Sequence, residues 1–570
     1  MSEQKTEIFI KKTTHANFAD IKPLLSYLYH WEKTIPNNVY LRQPNGNLWT
    51  EYTWKQVAEQ VRRMASALKA MGVKKGDNIG IVSKNCSHWI MADLAIMMVG
   101  GVSVPFYPTL DAEKINQVLT HSDCKVLFVG KLDDWKGMKD GIPADVHKIS
   151  MLPSSSEKDC NTKWDDLCAK HLPMQENYIP DVHDLFTIIY TSGTTGMPKG
   201  VMHTYYTVAT PIKAAAGVLK VGANTDKYFS YLPLCHIAER AIVEAASLYS
   251  GGSVSFVETL DSFKDNLAAV QPTHFLAVPR IWTKFQQGIL GKMPQKKLDL
   301  FLKIPILSGI VKNKIKKGLG LSKAKVVLTG AAPMPPSLIT WFQKLGITIQ
   351  EAYGMTENAG CCTLMRTDNI RIGTVGSTYP NCELKISPVD GEILTRAEWI
   401  MVGYYKEPEI TAKTVDAEGW LHTGDMGLID GEGCLKITGR VKDQFKTSKG
   451  EFVVPSPIES KFADNSNIEQ ICLVGRGLGQ PLALAVLSEL GMKESQETIK
   501  ASLVSTLKQV NTNANNWEKV CKIVIVKTAW SIENGMLTPT LKIKRNVLED
   551  VYGTRLEGWE NQKGNDVIWE

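Results

Sequence analysis

The run Tyr190-Thr-Ser-Gly-Thr-Thr-Gly-Met-Pro-Lys-Gly200 packs small, hydroxyl and basic residues into one short stretch. It follows the apolar segment Leu185–Tyr190, which reads as a buried strand, so the loop leaves a strand at its C-terminal end. Loops of this kind offer backbone N–H groups and hydroxyls to phosphate oxygens, and Lys199 adds a point charge. Thr191, Ser192, Gly193, Thr194, Thr195 and Lys199 are therefore candidate phosphate contacts. The spacing is not that of the nucleoside-triphosphatase phosphate loop, because no Gly-Lys-Ser/Thr follows Gly193 at the required distance. The competing reading is an ordinary surface turn, and the density of donor residues decides against it.

The elements that must hold such a loop are legible in outline. Thr53-Trp-Lys-Gln56 reads as a capping box opening a helix that Gly72 stops. Asn78–Ser83, Val102–Phe106 and Val126–Gly130 read as strands, with a buried helix at Trp89–Val99. Strands alternating with helices predict an α/β architecture, a large N-terminal domain of doubly wound sheets covered by helices. The stretch 133–184 reads as loop-rich surface, and regular alternation is expected again from 185 to 438. Beyond Gly439 the segments shorten, predicting a small α+β C-terminal domain with strands at Ile471–Val474, Leu482–Leu487 and Lys522–Val526. The expected division is 1–438 and 439–570.

Composition bounds the class. The chain has 570 residues, 44% apolar and 22% charged, which fits a soluble globular protein and excludes disordered and collagen-like chains. A net charge of +6 is too small over that length to indicate a nucleic-acid partner. Eleven cysteines without a Cys-x-x-Cys pair fit thiols in a reducing cytoplasm. No signal peptide is read in the first dozen residues, and no membrane span at Trp89–Tyr107, which Asp93, Gly100, Gly101 and Pro105 interrupt.

Further blocks follow the loop in order: Leu232-Pro-Leu-Cys-His-Ile-Ala-Glu-Arg240, Thr329-Gly-Ala-Ala-Pro-Met334, Tyr353-Gly-Met-Thr-Glu357, Trp420-Leu-His-Thr-Gly-Asp425, Gly439-Arg-Val-Lys-Asp443 and Pro539-Thr-Leu-Lys-Ile-Lys-Arg545. With these, the sequence resembles the adenylate-forming (ANL) superfamily of acyl-CoA synthetases, adenylation domains and luciferases, over roughly residues 20 to 560. The first of these blocks looks most like the long-chain fatty acid branch. The resemblance implies ATP, Mg²⁺ and coenzyme A, and a carboxylate activated as an acyl-adenylate before a thiol displaces AMP.

Carried over residue by residue, the resemblance implies that Gly330, Ala331 and Ala332 line the adenine face. Glu351, Ala352, Tyr353, Gly354, Met355 and Thr356 belong to the nucleotide site, with Tyr353 stacking on adenine and Thr356 contacting the α-phosphate. Glu357 looks like the Mg²⁺ ligand, with Thr191 beside it. Asp425 and Arg440 resemble the ribose contacts, and Lys442 the hinge about which a small mobile C-terminal domain turns. Lys542 aligns with the lysine that reaches the carboxylate and α-phosphate, with Lys544 the neighbouring alternative. His236 is placed at the acyl-carboxylate end, and Arg240 stands where some relatives carry a gating tryptophan. Lys446, Ser448, Lys449 and Gly450 resemble the face that meets the pantetheine thiol.

The reading is thus an ATP- and Mg²⁺-dependent long-chain fatty acid–CoA ligase in the cytoplasm. Its rivals are a ligase loading a carrier protein, a luciferase-like oxygenase, and a non-catalytic acyl- or nucleotide-binding protein. One further feature concerns a lipid surface. The stretch Lys292–Lys325 holds ten lysines against the single acid Asp299, interleaved with Phe301-Leu-Lys-Ile-Pro-Ile-Leu307, Ile310, Val311 and Ile315. That pattern predicts a peripheral contact of 292–325 with an anionic membrane, against the alternative of a solvated helical face whose apolar residues pack inward.

Overall fold

The computed structural model of the chain describes residues 9–10, 16–46, 48–191, 198–532, 534–538, 542–564 and 566–570. Two large sheets form the bulk of the N-terminal part. In the first, Leu185–Thr191, Val102–Phe106, Asn78–Val82, Val126–Val129, His147–Ser150 and Thr162–Lys163 run parallel, each beside the next. Lys199–Thr204 and then Gly403–Tyr404 extend that sheet antiparallel beyond Leu185–Thr191. The second has a parallel core of Gln350–Tyr353, Val326–Thr329, His274–Leu276, Lys227–Ser230, Ser253–Phe256 and Val39–Asn45. Central strands such as Val102–Phe106 and Val126–Val129 are buried throughout, as a parallel sheet covered on both faces requires.

The first predicted helix forms as Trp54–Ala70, capped by Thr53, and both arms of the capping box with Gln56 are in place. Its apolar stripe Val57, Val61, Met64, Ala65 and Leu68 is buried. Trp54 stacks on Tyr40 with ring centroids 3.7 Å apart. Helix Ser87–Met98 is buried on every side and carries Asp93 into the core. A buried carboxylate needs a cationic partner. Asp93 finds it in Arg240, whose Nη2 lies 2.6 Å from Oδ2.

Three expectations are corrected. The stretch 133–184 is not loop alone, since it contributes strands His147–Ser150 and Thr162–Lys163 and helices Trp135–Lys139 and Trp164–Lys170. Those strands are four and two residues long, too short to leave a periodic signal. The apolar run Ile347–Gln350 before the Tyr353 block reads in sequence as a strand, but the strand is Gln350–Tyr353, because the chain leaves the preceding helix through Gly346 at φ +73° and pairs only from Leu328↔Gln350 onward. Strand–helix alternation also does not persist to 438. Glu383–Ile386, Glu392–Arg396, Leu421–Ile429 and Leu435–Arg440 form an antiparallel sheet, and alternate residues of Leu421–Ile429 turn inward along most of its length.

After Arg440 comes a second, smaller α+β unit. Its sheet is ordered Ile468–Val474, Leu482–Leu487, Lys522–Ile525 and Val567–Trp569, with helices Gln496–Asn511 and Arg545–Asn561 packed against it.

Candidate active site

Leu185–Thr191 and Lys199–Thr204 pair antiparallel, with Thr191 opposite Lys199 and the Thr191 hydroxyl donating to the Lys199 carbonyl at 3.4 Å. The intervening candidates Ser192, Gly193, Thr194 and Thr195 lie outside the described residues. Lys199 aims inward: its Nζ sits 5.0 Å from the centroid of the Tyr404 ring.

Tyr404 ties this hairpin to the next segment. Its hydroxyl donates to Oε1 of Glu357 at 2.8 Å. Glu357 lies in the single 3₁₀ turn Thr356–Asn358 and is buried, which raises its carboxyl above the usual range. The Tyr404 bond and the charges of Lys199 and Arg440 oppose that rise. The turn is held from both sides. His203 Nε2 donates to the Thr356 carbonyl at 2.7 Å, and the Met401 N–H donates to the Glu357 carbonyl at 2.8 Å. Gly354 is required there, since a Cβ would stand 2.3 Å from the Gly360 carbonyl.

Next to it, Tyr353 donates its hydroxyl to Oδ2 of Asp425 at 2.8 Å, and Arg440 Nε donates to Oδ1 at 2.9 Å. Asp425 and Arg440 face each other in register on adjacent antiparallel strands, so the pair is built into the sheet. Gly330 approaches the Ala352 carbonyl so closely that a Cβ would lie 2.9 Å from its oxygen. Ala331 adopts φ +66°, a left-handed conformation costly for a residue with a Cβ, and Ala331 and Ala332 are exposed. Glu351 accepts from the Met334 N–H at 3.3 Å and is pushed up to about 7 by burial.

His236 caps a short helical turn, its Nδ1 accepting from the Ala238 N–H at 3.2 Å. Burial and then the nearby charge of Lys542 push its imidazole down to about 4. The loop carrying it is pinned by Asn85, which accepts from the Leu234 N–H at 3.1 Å and donates to the Leu232 carbonyl at 2.6 Å. Glu239 accepts from the Tyr231 N–H at 2.9 Å and is pushed up to about 8 by burial.

Lys542 brings the small unit into the same constellation. Burial and the charge of Arg440 lower its ammonium pKa, while Asp425 and Glu357 raise it. Lys544 answers to different neighbours: burial lowers it, and the charge it meets is Lys114. The structure thus gathers Lys199, Tyr353, Glu357, Asp425, Arg440, His236 and Lys542 within electrostatic or hydrogen-bonding reach of one another. It does not bring in five candidates around the start of the small unit. Lys442, Lys446, Ser448, Lys449 and Gly450 are exposed, and Lys446 lies over the Phe452 ring at 4.7 Å. Arg240 belongs to a buried core cluster instead, bonding Asp93, Glu244 and the Thr187 hydroxyl.

Tyr404 and His203 escaped sequence reading. Neither sits in a spaced block, and a tyrosine in Gly403-Tyr-Tyr405 looks like sheet packing until its partner is known. For a divalent cation the donors are one buried carboxylate, Glu357, and one hydroxyl, Thr191. Among the described residues no cluster of three or more His, Cys, Asp or Glu could hold a metal by itself. That sparse oxygen set fits Mg²⁺, which takes one or two protein oxygens and fills its shell with phosphate and water.

Comparison with known proteins adds the following. The family model described as AMP-binding enzyme matches residues 29–405, and the AMP-binding enzyme C-terminal domain matches 442–561. A peroxisomal long chain acyl-CoA synthetase of Arabidopsis thaliana is 30% identical, covering 94% of this chain and 84% of its own length. A long-chain-fatty-acid–CoA ligase of Mycobacterium tuberculosis is 28% identical, covering 94% and 96%. Among solved structures, an anthranilate CoA ligase bound to anthranoyl-AMP has a TM-score of 0.76 at 20% identity, covering 93% of this chain and 97% of its own. The adenylation domain of a Mycobacterium chelonae carboxylate reductase has a TM-score of 0.79 at 20% identity, covering 95% and 91%. These two likenesses establish the fold.

Proposed function

The chain belongs to the AMP-binding enzymes of the adenylate-forming superfamily, and from that premise we propose that it activates a long-chain fatty acid with ATP and transfers the acyl group to coenzyme A. In the first step a carboxylate oxygen attacks the α-phosphorus, the α–β anhydride bond breaks, and pyrophosphate leaves. In the second the thiolate sulfur of coenzyme A attacks the acyl carbonyl carbon, and AMP leaves with the electron pair of the carbon–oxygen bond.

The observation that carries this reading is that Lys542 lies within electrostatic range of Glu357, Asp425, Arg440 and His236, beside the bonded Tyr353–Asp425–Arg440 and Tyr404–Glu357 groups. The first step draws negative charge onto the α-phosphate, and a buried ammonium aimed there is stabilising only where that charge develops. Lys542 fills this role, and Lys199 with the hairpin donors neutralises the outer phosphates. Tyr353, Asp425 and Arg440 hold the nucleoside, with the Asp425 carboxylate accepting from ribose hydroxyls. Neutral His236 sits at the acyl end, where an imidazolium would bind the attacking carboxylate too tightly. Glu357 and Thr191 would hold Mg²⁺, which when bound supplies charge neutralisation to the phosphates. The exposed Lys446 and Ser448–Gly450 face is available to the thiol after the small unit turns about Lys442.

The experiment is pyrophosphate release with ATP and a panel of fatty acids from C8 to C20, followed by thioester formation with free coenzyme A or with a phosphopantetheine-bearing carrier protein. We expect release with long chains and transfer to coenzyme A. Release without transfer to free coenzyme A, but with transfer to the carrier, would replace the acceptor in this reading. No release with any acid would remove the reading altogether.

A further inference from the structure

The three consecutive helices Pro279–Lys292, Gln295–Lys303 and Pro305–Gly318 cover part of one face of the second large sheet. Their inward residues behave as core: Leu298 and Val311 are buried, and Phe301, Leu302, Leu307 and Ile315 pack beside them. Four large apolar side chains do not. Leu300 is 57% exposed, Ile304 46%, Ile306 82% and Ile310 59%. All four cluster about the Ile304–Pro305 corner between the second and third helices. Ile306 and Ile310 are one helical turn apart, and Leu300 and Ile304 share that spacing across the corner.

Lysines continue the same faces. On the second helix Lys296, Leu300 and Lys303 follow one stripe, and on the third Ile306, Ile310, Lys314 and Lys317 follow another. Lys296, Lys303, Lys314 and Lys317 are exposed. Among the described residues, Lys325 alone of the ten lysines from 292 to 325 forms an ion pair, with Asp226. The one acid of the stretch, Asp299, is occupied by the Gln295 amide at 2.7 Å. A corner of bare isoleucines ringed by unpaired ammonium groups is complementary to one kind of surface, apolar beneath and negatively charged on top. Among the described residues no helix is long and apolar enough to cross a membrane, so the contact is peripheral.

We propose that this corner docks the protein on an anionic lipid bilayer, with Ile304, Ile306, Ile310 and Leu300 inserted at the headgroup–acyl boundary and Lys296, Lys303, Lys314 and Lys317 on lipid phosphates. The position suits a lipid-borne substrate. The apolar cluster behind the corner is continuous from Phe301 and Leu307 through Phe285 to Met334, whose N–H bonds Glu351 at the candidate site. The inference extends the proposed function, but its test reads lipid binding alone and does not depend on catalysis.

Full-length protein is sedimented with vesicles of phosphatidylcholine, and with vesicles also containing phosphatidylglycerol, at low and high salt. Binding is expected to the anionic vesicles and to weaken steeply with salt. The pair Ile306→Ser and Ile310→Ser should weaken partitioning at least tenfold. The set Lys303→Gln, Lys314→Gln and Lys317→Gln should abolish the preference for anionic lipid. All five positions are exposed, so folding is preserved, and thermal melting of each variant checks this. Indifference to lipid charge, an absence of vesicle binding, or binding unchanged in both variant sets would overturn the proposal. So would self-association in solution that the isoleucine changes abolish, because the corner would then be a contact between copies of the chain.

Discussion

The Tyr404 hydroxyl donates to one oxygen of the Glu357 carboxylate at 2.8 Å, and among the described residues the other oxygen has no hydrogen-bond partner. The pair joins strand Gly403–Tyr404 to the turn Thr356–Asn358 and leaves one side of a buried carboxylate open to a cation. Tyr404→Phe removes the bond but keeps the ring beneath Lys199. Groups that orient a metal ligand typically contribute ~10–100-fold in metal affinity. The expected result is a rise of that order in the Mg²⁺ concentration needed for pyrophosphate release. An unchanged Mg²⁺ titration would show that Tyr404 only packs.

The two lysines near 542 are separable by their surroundings. Lys542 lies within electrostatic range of Glu357, Asp425, Arg440 and His236, whereas Lys544 lies within range of Lys114. Lys542→Ala should lower acyl-adenylate formation by ~10²–10³ while leaving thioester formation from synthetic acyl-AMP largely intact. Lys544→Ala should leave adenylation near its original rate. Equal loss in both half-reactions, or a loss confined to Lys544→Ala, would reverse the assignment.

Lys442 is exposed and lies between the last strand of the antiparallel sheet, ending at Arg440, and the hairpin that begins at Phe445. Proline at 442 fixes φ without touching the phosphate hairpin. Lys442→Pro should therefore spare adenylation and slow transfer to coenzyme A by at least tenfold, measured as separate half-reactions. Full-speed transfer would remove Lys442 from the hinge.

His203 links acid stability to the site. It is fully buried, bonds the Thr207 hydroxyl and the Thr356 carbonyl, and is pushed down to about 4 by burial. An unfolded histidine titrates near ~6.5, so the unfolded chain binds the proton first as pH falls. The contribution of neutral His203 is thus complete above about 6.5 and lost as pH falls through about 4. His203→Asn should be less stable than the parent at about pH 7.5, and the gap should narrow by ~2 kcal/mol at about pH 5. Denaturant unfolding at both values reads this, and a gap constant with pH would refute it.

Much of this architecture could be read from local chemistry, and the reasons for the rest are physical. Thr53 and Gln56 announce their helix because a capping box is a short-range device, both of whose bonds form here. Leu185–Thr191 and the hydroxyl-rich turn after it are equally local. Tyr404 was invisible because its function depends on a partner 47 residues away that only sheet pairing brings near. Arg240 was legible only as a departure from the tryptophan of some relatives, and its reason lies in the core, which needs a cation for Asp93 and Glu244. The edge strands within 133–184 failed the reading because strands this short show no period.

The contributors to the candidate site are spread along the chain from Lys199 to Lys542, and Lys542 is the last to be synthesised. On the ribosome, at ~5–20 residues per second, tens of seconds separate synthesis of the phosphate hairpin from that of Lys542. On the roles proposed above, a nascent chain that ends before Lys542 would hold nucleotide through Tyr353, Asp425 and Arg440 and still lack the ammonium assigned to the α-phosphate. Synthesis order would thereby keep an incomplete chain from spending ATP, with Lys542 the last of these groups to arrive.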